Sequence, residues 1–334
     1  MKFLIVRLGA LGDIVHTVPA AAALRRGYPD ARIDWVVDER HGSFARLITC
    51  IDRVVTLEKP TLGAWIQLVQ ALRPARYDAA LDFQGLMKSA LIARASGAVR
   101  VAGFSIWHLR EKGARPFYSE VGNNDAPPHV IQKNLQLLSV VGVNTTDIEF
   151  PLAHSPSSVV ESVKMQAAGR PCALINPGAA WPNKRWPASR FGEVAGFLNE
   201  VRGIDPFVLW GPSEQSLAED VVRASGGAAR VAPATTTADL VELSRAAALM
   251  VSGDTGPLHI AGAAGTPIVA IFGPTDPDRN GPWAAGDQVV SRYGSCACHY
   301  QRQCRQSAWC LDDVSVAEVT AAIQQRLGPS HLTC

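Results

Sequence analysis

The sequence predicts an α/β protein built from two doubly wound domains, each a mostly parallel sheet with helices packed on it. Apolar runs of strand length alternate with helix-length segments. The alternation pauses over 151–171, where three prolines and a serine run mark a connection with one helix in it, and then restarts. Near the end, VSGDTGPLHIAGAAGTPIVAIFGPTDP over 251–277 reads as strand, Gly-containing turn, short helix, second strand and Gly-Pro turn, a βαβ unit with both loops at one end. At 334 residues with 47% hydrophobic content, the chain can bury two cores.

Taken in order, the first half gives strands over 3–7, 33–37, 53–57, 77–83 and 99–104, rich in Val, Ile, Leu and aromatic residues. Helices are expected over 13–26, 62–72, 86–95 and 130–141. The second half gives strands over 172–176, 206–210, 230–231, 249–251 and 268–272, with helices over 188–199, 214–224, 237–247 and 258–264. A final helix is expected over 316–327. The predicted domains are 1–155 and 171–313, joined by 156–170 and followed by a C-terminal helix and tail over 314–334. No internal repeat is evident in the sequence.

In open α/β sheets ligands bind at the carboxyl ends of the strands, where a helix N-terminus offers N–H groups and a positive dipole end to an anion. Asp254, Thr255, Gly256 and His259 therefore form a candidate site for a phosphorylated ligand. Their plain structural role would be a tight turn with a cap. A second loop, PGAAWPNKRWP over 177–187, follows the strand CALIN and carries Lys184 and Arg185 between tryptophans, which suits a diphosphate.

The first strand runs into Leu8-Gly9-Ala10-Leu11-Gly12-Asp13. The spacing is G-x-x-G and lacks the G-x-G-x-x-G of a dinucleotide fingerprint. What it supplies is Asp13, a carboxylate that could take a proton from an attacking hydroxyl or, alternatively, serve as a helix cap.

With 19% charged residues and a net charge of +2, composition argues against both a disordered chain and a strongly nucleic-acid-binding one. Residues 1–150 carry 18 Lys and Arg against 14 Asp and Glu, so the first half is the candidate partner for an anion, with Lys59, Arg110 and Lys112 in its loops. The N-terminus imitates a secretory signal, but Arg7 and Asp13 interrupt it, and no stretch reaches the length of a membrane span. A cytoplasmic protein is expected. Its seven cysteines should then be thiols or metal ligands. Cys296, Cys298, Cys304 and Cys310 form a candidate structural zinc or iron site, with free thiols or adventitious disulfides as the alternative, since paired C-x-x-C knuckles are absent. Cys50, Cys172 and Cys334 are scattered. Asp276-Pro277-Asp278, a D-x-D, reads as loop chemistry.

Four motifs occur in order: G-x-x-G-D-I-x-H-T-x-P over 9–19, IDWVVDE over 33–39, PGAAWPNKRWP over 177–187 and SGDTGPLHIAGAAGTPIVAIFGPTDP over 252–277. Together they resemble glycosyltransferase family 9, the ADP-heptose:lipopolysaccharide heptosyltransferases. The H-T-x-P and DWVVDE forms stand closest to the heptosyltransferase I subgroup, which attaches heptose to the inner 3-deoxy-manno-octulosonate (Kdo) of lipid A. The resemblance implies a GT-B fold, two Rossmann-like domains facing across a cleft, with the acceptor on the first domain and ADP-heptose on the second. It implies a general base at Asp13, beside Gly12, and a phosphate-binding lysine at Lys184. The ribose contact falls on Glu214, and the sugar and diphosphate contacts fall on Asp254, Thr255, Gly256 and His259. Arg110 matches a basic acceptor-side position. Ala179 and Ala180 depart from the family, whose members often carry hydroxyls just before the lysine loop.

Glycosyl transfer needs a base on the incoming hydroxyl and charge stabilisation on the leaving diphosphate. One base and no second nucleophilic carboxylate imply inversion, and no cofactor is required for the reaction. The partners implied are ADP-heptose and Kdo-lipid A, met at the inner face of the inner membrane, and no nucleic acid. Rival readings are a family-9 transferase for a protein or other glycan, a nucleotide-sugar epimerase, and a non-catalytic nucleotide-binding module.

Overall fold

A computed structural model of the chain describes residues 1–58, 61–123, 127–304 and 306–328; Lys59 and Cys334 lie outside them. The chain forms two compact units, divided between His154 and Ser155. The first contains strands β1 (Lys2–Val6), β2 (Arg32–Asp38), β3 (Arg53–Leu57), β4 (Ala79–Asp82), β5 (Arg100–Gly103) and β6 (Glu120–Val121). They form one parallel sheet in the order β3-β2-β1-β4-β5-β6. The second contains β7 (Cys172–Asn176), β8 (Asp205–Val208), β9 (Arg230–Val231), β10 (Leu249–Gly253), β11 (Ile268–Phe272) and β12 (Gln288–Ser291), paired in parallel in the order β12-β11-β10-β7-β8-β9. Counted from its own first strand, the second sheet has the order of the first. The sequence shows no repeat, yet the topology occurs twice.

The strands read as continuous apolar runs because both faces of a parallel sheet are covered. In β7, Ala173 and Ile175 join one core cluster while Cys172 and Leu174 join another. In β11, Val269 and Ile271 face the first and Ile268, Ala270 and Phe272 the second. A period of two thus divides each strand between two cores. The helix Val316–Leu327 closes one of them with Val319 and Ile323, packing on β11, β12 and the helix Ala188–Glu200. Ser315 and Glu318 cap it reciprocally.

Three differences from the sequence reading have local causes. The helix expected over 13–26 is two, Leu11–Val15 and Val18–Gly27, because Pro19 has no N–H to offer the carbonyl of Val15 and its ring crowds that turn. The helix expected over 130–141 is α-helical over Val130–Leu137, tightens to a 3-10 turn over Leu138–Val141 and ends at Gly142 in the left-handed region. Strands β6 and β12 were not expected; both are short edge strands with little apolar signature. Among the described residues no helix is long and apolar enough to cross a membrane.

One buried carboxylate holds the end of β4. Asp82, fully buried, accepts hydrogen bonds from Gln84 N at 2.8 Å, Gly85 N at 3.3 Å, Ser89 Oγ at 2.9 Å and Tyr118 Oη at 2.6 Å. Burial pushes its carboxyl up, against the pull of these donors. Replacing it with Ala strands several buried donors at once, so Asp82→Ala should lose about 3 kcal/mol, which for a unit of this size lowers Tm by roughly 6–12 °C. Calorimetry that found Tm within about 2 °C of the parent would show the network to be dispensable.

Candidate active site

Each sheet reverses its winding between its first and fourth strands, and loops leaving that pair diverge and open a crevice at the carboxyl ends. In the first unit the pair is β1 and β4. Arg7 follows β1 directly and is only 4% exposed. Its Nη1 donates to the carbonyl of Phe83 beyond β4, and its Nη2 lies 2.7 Å from Asp13 Oδ2. Burial pushes the guanidinium down; the Asp13 carboxylate opposes this. Leu8 N donates to Gln84 Oε1 at 2.8 Å, a second tie between the two loops.

Asp13 is the third residue of the helix Leu11–Val15, whose N-cap is Ala10, and its Oδ2 accepts from Ala10 N at 3.3 Å. The carboxylate thus finishes the helix start from inside the first turn while keeping 17% of its surface exposed. Capping and a chemical role do not compete here. Arg110 Nη1 approaches the same oxygen at 3.9 Å. Gly12 is the helix's second residue, and Lys112 stands exposed two positions beyond Arg110. His41 packs its ring over the loop, where a Cβ at Gly9 would lie 3.1 Å away, and burial pushes its imidazole down, favouring the neutral form.

In the second unit the pair is β7 and β10. Asn176, the last residue of β7, donates to Ser252 Oγ and Thr255 Oγ1, both at 3.0 Å. Thr255 begins the helix Gly256–Ala263, and no side chain caps that end. The helix start therefore presents backbone N–H groups and a positive dipole end. Beside it, Asp254 collects four donors: Lys184 Nζ at 2.5 Å and Thr275 Oγ1 at 2.7 Å on Oδ2, and Asn280 Nδ2 at 2.8 Å and His259 Nε2 at 3.2 Å on Oδ1. Burial alone would push this carboxyl up, but His259 and the Lys184 charge hold it well below the usual carboxylate range. Lys184 also lies 4.6 Å from the centre of the Trp181 ring. A lysine is normally a mobile point charge; this one is held from two sides.

Glu214 stands at the start of the helix Gln215–Ala224 and accepts from Gly211 N and Arg185 Nη2, both at 3.3 Å. A Cβ at Gly178 would fall 2.2 Å from Glu214 Oε2, so a side chain there would displace this carboxylate. Asp276 caps the short helix Pro277–Asn280, accepting from Asp278 N at 2.9 Å.

The cysteines do not form the candidate metal site. Among the described residues no group of three or more His, Cys, Asp or Glu side chains is placed to hold a metal ion. Cys296 and Cys298 are buried with their sulfurs 3.5 Å apart, and Cys298 accepts from Asn183 Nδ2. Burial pushes the Cys296 and Cys310 thiols up. All four are free thiols, as are Cys50 and Cys172.

Sequence reasoning passed over Arg7, His41, Asn176, Thr275 and Asn280. Arg7 carried a readable signal, a charge directly ending an apolar strand before the G-x-x-G loop. Thr275 and Asn280 carried none, because they reach Asp254 from 21 and 26 residues away.

The sequence profile described as glycosyltransferase family 9 (heptosyltransferase) matches residues 65–310. Lipopolysaccharide heptosyltransferase 1 of Pseudomonas aeruginosa is 27% identical over 317 residues, covering 91% of this chain and 87% of that protein. Two solved structures show the fold: a family 9 glycosyltransferase from Veillonella parvula, with TM-score 0.81, 22% identity and 98% and 97% of the two chains covered; and the E. coli heptosyltransferase WaaC with ADP-2-deoxy-2-fluoro heptose, with TM-score 0.76, 22% identity and 97% and 99% covered. Both sheets and their helices match this two-domain GT-B arrangement. The epimerase and binding-module readings are thereby set aside. The profile covers most of the chain, and the chain belongs to glycosyltransferase family 9, the heptosyltransferases, as a glycosyl-transferring enzyme.

Proposed function

We propose that this enzyme moves L-glycero-D-manno-heptose from ADP-heptose to the inner Kdo of a lipid A precursor, with inversion at the anomeric carbon. Two comparisons support the substrates: a relative named for lipopolysaccharide, and a neighbour solved with an ADP-heptose analogue. The observation that carries the chemistry is the Lys184 ammonium, fixed by Asp254 and Trp181 beside an uncapped helix N-terminus. Such a group is preorganised for a diphosphate that gains negative charge as it leaves.

On this reading the second unit binds the donor, with Glu214 on the ribose, Lys184, Thr255 and Gly256 on the diphosphate, and His259 and Asp254 on the sugar side. The first unit binds the acceptor, with Arg110, Lys112 and Gly12 around Asp13. The acceptor oxygen bonds to the anomeric carbon, the bond from that carbon to the diphosphate oxygen breaks, ADP departs with the electron pair, and the hydroxyl proton passes to Asp13. The Arg7 guanidinium, 2.7 Å from Asp13 Oδ2, orients the carboxylate that takes that proton. A weak base is enough, because a hydroxyl attacking an oxocarbenium-like centre becomes acidic as the bond forms. The enzyme meets its lipid-borne acceptor at a membrane surface, from the cytoplasmic side.

Asp13→Asn should cut transfer by about 10²- to 10⁴-fold and leave ADP affinity unchanged, measured by turnover and calorimetric titration. Activity within a few-fold of the parent would leave Asp13 a purely structural residue. Lys184→Ala should weaken donor binding and lower kcat together, since its charge matters most in the transition state. Because Lys184 and the helix start supply the positive charge, turnover should persist in excess EDTA; strict dependence on added magnesium would overturn this assignment. The double variant Arg110→Ala/Lys112→Ala should raise the acceptor KM and flatten its salt dependence with the donor KM unchanged. A shift in donor KM instead would move the acceptor site elsewhere.

A further inference from the structure

We propose that the turn over 105–108, with the adjoining start of the helix Met87–Ala95, is a docking surface for an anionic lipid bilayer. The inference rests on the reading above only in supposing that the acceptor is lipid-borne. Ser105 is buried, yet the next two residues, Ile106 and Trp107, are 40% and 75% exposed. They occupy the tip of a turn closed by His108 N donating to Ser105 O at 2.9 Å. This tip is fixed, because Lys133 Nζ donates to His108 O at 3.1 Å and stands 4.7 Å from the centre of the Phe104 ring. A rigid turn that spends its two corner positions on Ile and Trp gains nothing in water. At a lipid interface those two side chains, one apolar and one amphipathic, are the types that insert.

A second exposed apolar pair lies on the helix Met87–Ala95. Met87 and Leu91, four residues apart and so on one face, are 51% and 44% exposed. The helix start is tied to the loop that follows the turn: Met87 N donates to Glu111 Oε2 at 2.7 Å, and Glu111 N donates to Gly85 O at 3.1 Å. Gly113 lies against the Met87 side chain, where a Cβ would come within 2.9 Å of the sulfur.

Charge selects the occupant. The segment 105–117 carries Arg110, Lys112 and Arg115 against a single acid, Glu111, whose carboxylate is turned onto the Met87 amide. Exposed apolar side chains in a segment with excess cations match a surface of anionic headgroups over acyl chains, whereas an apolar protein partner would not call for the cations. Arg110 also reaches to within 3.9 Å of Asp13, so a bilayer at this turn lies next to the candidate base.

The test uses the full chain in vesicle flotation, with phosphatidylcholine alone or mixed with phosphatidylglycerol, and in turnover on acceptor presented in vesicles or deacylated in solution. The parent should float with the anionic vesicles, less so at high salt. Ile106→Ser/Trp107→Ser should lower that binding about tenfold and raise KM for vesicle-borne acceptor to match, with kinetics on deacylated acceptor unchanged. Trp107→Phe, which keeps an aromatic ring, should retain most of the binding. Unchanged flotation of the double variant overturns the proposal; so does an equal loss on both acceptors, which would make the turn a sugar-binding element. Failure of the parent to turn over either acceptor would refute the substrate reading and leave flotation to decide this one.

Discussion

The reversal of strand order between the first and fourth strands of each sheet is the constraint from which the chemistry of this protein follows. Parallel strands need crossover helices, and where successive crossovers change side the two loops leave in opposite directions and cannot cover the strand ends between them. Polar side chains at that point reach solvent and ligand while their backbones stay anchored in the sheet. Arg7 and Phe83 occupy that point in one unit, Asn176 and Asp254 in the other. The fold has made the same kind of opening twice and filled it with different chemistry.

Both openings contain a cation and a carboxylate in contact, with opposite assignments. In the first unit the cation is buried and the carboxylate is partly open, so Arg7 serves to orient Asp13. In the second the carboxylate is the buried member, and Asp254 serves to orient Lys184. A buried charge is costly unless it is paired and hydrogen-bonded. Asp254 meets that condition with four side-chain donors drawn from three segments, and one consequence is an ammonium whose position is set before any ligand arrives. An anion bound beside it would meet a cation already oriented.

Much of this was legible along the chain. The strands β1, β2, β3, β7 and β11 follow from apolar runs bounded by turn residues, because a strand covered on both faces admits few polar positions. Asp13, Lys184 and Asp254 stood out because each follows a strand within a Gly- or Pro-containing loop. Less was legible where spacing misleads. The cysteines at 296, 298, 304 and 310 are close in sequence and the Cys296 and Cys298 sulfurs lie 3.5 Å apart, yet among the described residues no three such side chains are placed to hold a metal ion. Asn280 lay in a turn whose acidic residues drew attention, and its own contribution is a single hydrogen bond to a residue 26 positions earlier.

By itself the sequence determined the fold class, the division into two α/β halves, the family and the candidate loops at the strand ends, since these depend on local period, turn residues and short motifs. Tertiary structure alone decided the strand order, and with it which loops become neighbours: that Arg7 meets Asp13 and Phe83, that Thr275 and Asn280 complete the shell around Asp254, and that the Glu214 carboxylate lies against Gly178. The physical reason is that hydrogen bonds and ion pairs act over about 3–4 Å between side chains whose separation along the chain carries no information about their distance in space.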